Sequence, residues 1–277
     1  MIWCNRLKPL GMLALLCLQT ALLCGQVSDA TAELKLGISA YEKASYEVAV
    51  QHLQHAVSLD PKSVTGHLYL AKAYDGMCPP AGCDPDWSKL AIQEYETTLQ
   101  LQPNSSDAAK GLASLLYLRA RLDESERYYR RAAEIDSKDP EALYGIAVLD
   151  WIRSYRTRVN RTAELKLGQS KPLYRSPACA ELRGENLTQV TEGIALMTRT
   201  LELARNADVM GYLAVLYRER AELQCGDRTA HDADFRIARE WETRRCEARN
   251  SGFPVLPPRW PPAPPPPPSK RGDACAF

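Results

Sequence analysis

LDESERYYRRAAEIDSKDPEALYGIA, Leu122 to Ala147, decides how the rest of the chain is read. Its first half places Ser125, Tyr128, Tyr129, Ala132, Ala133 and Ile135 at the i, i+3, i+4, i+7 spacing of a helix with one apolar face. Asp136 to Asp139 interrupts that pattern. Pro140 then suits the first position of a new helix, where its missing N–H is not needed, and Glu141 sits at the positive end of the helix dipole. Two amphipathic helices joined this tightly fold back on each other, and a single pair cannot bury its apolar faces unaided. The stretch therefore demands neighbours of its own kind.

Such neighbours recur with a period of 34 residues. With Ser106 as position 1, Leu112 and Ala113 fall at 7 and 8, Ser125 at 20, Tyr129 at 24, Ala132 at 27 and Ser137 at 32. Counting from Ala30 gives Leu36, Gly37, Tyr46, Ala49, Leu53, Ala56 and Pro61 at 7, 8, 17, 20, 24, 27 and 32. A unit from Val64 places Leu70, Ala71 and Tyr74 correctly, but Ala91, Tyr95 and Pro103 arrive eight residues late, delayed by a loop near 76–86 that contains CPPAGC. Loop closure costs little more for a longer loop, so a turn tolerates the addition. A fourth unit starts at Pro140, with Ile146 and Ala147 at 7 and 8, and a fifth near Ala207, with Leu213, Ala214 and Tyr217. Small residues at 8, 20 and 27 are expected where helices cross closely.

Between the fourth and fifth units the period breaks. An insertion near 153–186 carries Arg153, Arg156, Arg158, Arg161, Lys166, Lys171, Arg175 and Arg183 against Glu164 and Glu181. It reads as a solvated arm, with a grip on an anionic ligand as the rival. TAELKLG at Thr31–Gly37 recurs at Thr162–Gly168, which suggests a short helix in the insertion ended by Pro172. A helix from about Asn186 to Ala204 restores the period, and one near Asp232 to Ala248 closes the array.

The ends differ in character. Arg6 and Lys8 precede an apolar run from Leu10 to Leu23, too short for the roughly 20 residues of a membrane span. Residues 1–30 read as a secretory signal, with cleavage after Ala30 or Gln26, or a lipid on Cys24. Of nine cysteines, six remain once Cys4, Cys17 and Cys24 are set aside. Cys78 and Cys83 are close enough to clip a loop, and Cys179 with Cys225 would tie two inserted segments together. Residues 251–277 include PPAPPPPPSKRG, where proline favours extended polyproline II, and are expected to be a disordered tail.

A formal charge of +1 gives no general attraction to nucleic acid or anionic membranes. The four histidines include His52 and His55 on one helical face with no third ligand evident, so no metal site is expected. No G-x-S-x-G, H-E-x-x-H, G-x-x-x-x-G-K or G-x-G-x-x-G occurs, and no enzyme activity or cofactor is assigned.

The units quoted above resemble tetratricopeptide repeats (TPR) in an exported bacterial protein, across residues 31–250 in about five units. The resemblance implies an all-α fold, a TPR-type α-solenoid of helix hairpins wound into a right-handed superhelix, with a peptide or protein partner in its concave groove. Repeat positions that would hold the fold are Gly37, Ala49, Ala56, Pro61, Ala71, Ala91, Pro103, Ala113, Ala132 and Ala147. Groove positions of the family fall here on Tyr41, Lys72, Lys110, Tyr117, Tyr144 and Trp151. Aromatic groups at Tyr41, Tyr117 and Trp151 either form a recognition surface or cap the core beneath the insertion. A chaperone-type carboxylate clamp is not expected, because Leu34 and Ile38 stand where the family uses Lys and Asn. The expected function is a noncatalytic scaffold outside the cytoplasm, periplasmic or extracellular, with membrane attachment only through a lipid. Its rivals are an enzyme with its site in the insertion around Arg156, Arg161, Lys171 and Cys179, and a structural envelope lipoprotein.

Overall fold

A computed structural model describes residues 29–78, 85–167 and 173–252. The expected signal segment, Cys83, Lys171 and the Pro-rich tail lie outside the described residues. Within them the fold is all-α, of the expected α-solenoid class, with one short 3-10 turn and no strand. The helices are α1 (29–42), α2 (Tyr46–Leu59), α3 (Val64–Gly76), α4 (Pro85–Leu101), α5 (Ser106–Leu118), α6 (Leu122–Ile135), α7 (Pro140–Glu164), α8 (Ala178–Leu203), α9 (Ala207–Glu222) and α10 (Arg228–Asn250). The chain divides into two compact units, Met1–Leu112 and Ala113–Phe277.

In the first unit the small repeat residues Ala49, Ala56, Ala71 and Ala91 are buried, beside Leu53, Leu70, Tyr74 and Tyr95. Leu36 is the exception at position 7, 51% exposed, because no earlier described hairpin packs on α1. In the second unit Ala113, Ala132 and Ala147 are fully buried. Ser125 shows why position 20 must be small: its hydroxyl donates to the Ala113 carbonyl at 2.7 Å, so α5 and α6 cross almost backbone to side chain.

The turns between hairpins share one design. Ser63, Ser105 and Asp139 each donate a backbone N–H to the carbonyl three residues earlier, on Asp60, Gln102 and Asp136, at 3.1 Å in every case. Their side chains then cap the next helix: Ser63 accepts from Gly66, Ser105 from Ala108, and Asp139 from Glu141 and Ala142. These caps satisfy N–H groups that the first helical turn leaves without partners. Pro61 and Pro103 stand in the turns just before.

A second recurring device locks one hairpin to the next. A Cβ built on Gly111 would lie 2.2 Å from the Tyr95 ring, and one on Gly145 would lie 2.7 Å from three ring atoms of Tyr129. Both tyrosines are core residues. Gly145→Ala is therefore expected to lower stability by about 1–3 kcal/mol through overpacking, read from the urea midpoint. A variant as stable as the parent would show that the Tyr129 ring can retreat.

The basic insertion is not an arm. α7 runs unbroken for 25 residues where α5 has 13, and α8 has 26 where α6 has 14. Both helices of the fourth hairpin are lengthened by the same amount. α8 starts at Ala178, earlier than the period suggested, and Thr162–Glu164 ends α7 instead of forming a separate helix. The arginines explain the order. Arg153 pairs with Asp123 and Glu126 on α6, Arg158 with Glu219 on α9, and Arg161 with Glu164 and with Glu181 on α8. Three of the charges expected to be solvated, Arg153, Arg158 and Arg161, hold the extension against its neighbours.

Cys179 and Cys225 form a disulfide across a sequence separation of 46, joining the start of α8 to the α9–α10 turn. A loop of that size constrains the unfolded chain by about 4 kcal/mol on the chain-entropy account. Cys78 and Cys246 are also disulfide-bonded.

Candidate partner-binding site

The first unit brings residues of three successive first helices together. Tyr41 of α1 meets Tyr69 of α3 edge to face, ring centroids 5.6 Å apart. Lys72, one turn beyond Tyr69, holds its Nζ 5.4 Å from the Tyr69 centroid. The same Nζ donates to Asp107 Oδ2 of α5 at 2.7 Å, and Lys110 Nζ lies 3.9 Å from the other carboxylate oxygen. The three helices repeat at register, so residues scattered over 70 positions of sequence form one strip. The aromatic rings are half-buried and pre-set, and the two ammonium groups share a carboxylate that is itself half exposed. Such a strip can offer rigid aromatic area together with charge-assisted donors, which is what a protein or peptide partner needs.

Tyr117, Tyr144 and Trp151 belong to the second unit and are placed differently. Tyr144 is completely buried and Trp151 is 7% exposed. Tyr212 of α9 packs edge to face against both, at 5.2 and 6.2 Å, and Tyr155 stacks on Trp151 at 5.0 Å. Leu173 and Leu182 join the same cluster, and Tyr117 is half-buried against it. Tyr144 and Trp151 are therefore corrected from partner contacts to core: α9 and the connection before α8 cover them. Burial pushes the hydroxyls of Tyr144 and Tyr212 well above the usual phenol range.

Two residues of the rival enzymatic reading, Cys179 and Arg161, are engaged elsewhere, and Lys171 lies outside the described residues. Cys179 is buried in its disulfide and Arg161 is paired twice, leaving neither as a nucleophile or an anion clamp. His52 is half-buried, its Nδ1 2.7 Å from Glu33, and His55 Nδ1 lies 3.4 Å from the same carboxylate, which holds Glu33 below the usual carboxyl range. That contact joins α1 to α2 and was not foreseen, since Glu33 lies on another helix. Among the described residues no group of three His, Cys, Asp or Glu is placed to hold a metal. No described helix is long and apolar enough to cross a membrane.

Hairpins with this register, capping and small-residue crossing define the tetratricopeptide class. Residues 89–140 match the tetratricopeptide repeat family. Among solved structures the chain resembles MamA at 13% identity, covering 83% of this chain and 98% of that one with a TM-score of 0.53. It is similar to MamA 41-end from Desulfovibrio magneticus RS-1 at 12% identity, with 80% and 96% covered and a TM-score of 0.52. It also resembles YrrB, described as a TPR protein with an unusual peptide-binding site, at 15% identity, with 81% and 92% covered and a TM-score of 0.52. These likenesses show the fold. No curated protein matches by sequence.

Proposed function

We propose that the chain is a noncatalytic scaffold that binds a protein or peptide along the strip of α1, α3 and α5. The observation that carries this is the meeting of Tyr41, Tyr69, Lys72, Asp107 and Lys110 from three consecutive first helices. Lys72 and Lys110 bring ammonium donors beside the Tyr41 and Tyr69 rings, so the partner segment presents an acidic group beside an apolar one. Action outside the cytoplasm is part of the proposal. It draws support from the Cys179–Cys225 disulfide, since such bonds persist in oxidising compartments.

The test is crosslinking of the full chain in its native host, followed by mass spectrometry, for the parent and for Tyr69→Ala with Lys72→Ala. Losing an anchor ring and a charge-assisted contact is expected to reduce recovery of the captured protein by about tenfold or more, with helix content unchanged. Equal recovery from both chains would remove the strip as the site.

A further inference from the structure

The lengthened hairpin has a feature that the repeats alone would not produce. A cleft of about 570 Å³ opens between α7, α8 and the α5–α6 turn, within the second unit. Arg153, Arg156, Thr157 and Asn160 form its α7 wall, at the i, i+3, i+4, i+7 spacing of one helix face. Glu185, Asn186 and Gln189 form the α8 wall. If α7 had the 13 residues of α5 it would stop at Ile152, and if α8 had the 14 of α6 it would begin at Val190. Every wall residue therefore belongs to the added turns.

The side chains of the extension fall into two groups. Arg153, Arg158 and Arg161 are bound to carboxylates, and Cys179 to Cys225, which fixes the walls. Arg156, Thr157, Asn160, Glu185 and Gln189 make no side-chain hydrogen bond or ion pair among the described residues, and all five face the cleft. Their chemistry narrows the occupant. Arg153 and Arg156 are matched in the lining by Asp123 and Glu185, so the cleft has no charge surplus to hold a polyanion. No aromatic side chain lines it, so a sugar or a nucleobase finds no stacking platform. The amides of Asn160 and Gln189 each both donate and accept, as a peptide group requires. From Arg153 to Asn160 the α7 wall runs about 10 Å at 1.5 Å per residue, room for about three residues of extended chain at about 3.3 Å each.

We propose that this cleft is a second binding site, which takes a short extended peptide carrying one acidic and one basic side chain. It shares no residue with the strip on α1, α3 and α5. The acidic side chain meets Arg156, the basic one meets Glu185, and the backbone between them bonds to Asn160 and Gln189.

Fluorescence anisotropy with the full chain tests it, using fluorescein-labelled Gly-Glu-Ser-Lys-Gly, the same peptide with Ser in place of Lys, and the same with Ser in place of Glu. The mixed peptide is expected to bind about tenfold tighter than either single-charge peptide, and Asn160→Ala with Gln189→Ala to weaken it by about tenfold, each step the worth of one charge-assisted or two neutral hydrogen bonds. Tyr69→Ala with Lys72→Ala should leave this binding unchanged while lowering capture of the host partner, so failure of one site is distinguishable from failure of the other. Binding of none of the three peptides, tightest binding of the acidic peptide, or binding indifferent to the Asn160 and Gln189 changes would each overturn the proposal. The wall residues replaced are partly or fully exposed on helix surfaces, and circular dichroism of the variant separates loss of the site from loss of the fold.

Discussion

Arg158→Ala is expected to lower the unfolding free energy by about 3–5 kcal/mol at pH 8, the range for removing one partner of a buried pair. Arg158 Nε stands 2.9 Å from both carboxylate oxygens of Glu219, and Ser154 Oγ donates to one of them at 3.0 Å. The Glu219 side chain is 1% exposed. Burial raises its pKa and sets the net direction, with Arg158 and Ser154 opposing the rise. Without the guanidinium the largest opposing influence is lost, and the folded carboxyl holds its proton to higher pH than in the parent. The sign follows: a carboxyl whose folded pKa lies above its unfolded value loses stability as pH rises between the two. The variant should therefore be closer to the parent at pH 5 than at pH 8, in urea unfolding at both. Replacing Arg158 and Glu219 together by leucine should recover most of the loss, because no charge is then stranded. A single variant within about 1 kcal/mol of the parent at pH 8 would mean that water reaches Glu219.

Why Arg158 was not legible as a structural residue says much about the rest. Its partner lies 61 residues away, on a helix whose packing is fixed only once α8 has returned the chain. Within 153–183 alone the arginines have few acidic neighbours, and a solvated arm was the natural reading. The hairpins were legible because their constraints are local: Pro61 and Pro103 in the turns, alanine at the crossings, one apolar face per helix. The caps Ser63, Ser105 and Asp139 stand at the same place before α3, α5 and α7, a local signal that the sequence reading did not use. The contacts of Tyr95 with Gly111 and of Tyr129 with Gly145 recur at the same interval one period later, but only the structure brings them to light.

The groove residues divide for the same reason. Tyr41, Lys72 and Lys110 lie on regular repeats, and the family register places them on one strip. Tyr144 and Trp151 occupy equivalent positions, but the hairpin that follows them is irregular. Whether those rings meet solvent depends on Tyr212 and on the Leu173 connection, which the period does not govern. The lengthening of α7 and α8 thus has two effects: it closes the aromatic face below and opens a polar cleft at its own walls.

Asp150→Asn should stabilise the protein increasingly as pH rises. Asp150 sits inside α7, 1% exposed, and its Oδ2 has no hydrogen-bond partner among the described residues. Burial pushes its pKa up to about 7, with Glu192 and Glu126 adding to the rise and Arg130 and Arg153 opposing it. Those four groups come from α6, α7 and α8, two acids set against two bases, and burial is the largest influence. Below the unfolded value of 3.8 both states carry the proton and Asp150 contributes nothing. Between that value and about 7 the unfolded chain ionises while the folded one keeps its proton, so stability falls with rising pH and levels off above. At about 1.4 kcal/mol per unit, the parent should lose about 2–3 kcal/mol to this one group between pH 5 and pH 7. Asparagine keeps the shape and carries no titratable proton. The difference between parent and Asp150→Asn, taken by urea unfolding at each pH, isolates the group from every other titration. It should grow steadily up to neutral pH and then stay constant. A difference that is flat across that interval would mean that Arg130 and Arg153 hold Asp150 ionised in the folded chain, and the packing of α6, α7 and α8 around it would then rest on a buried charge.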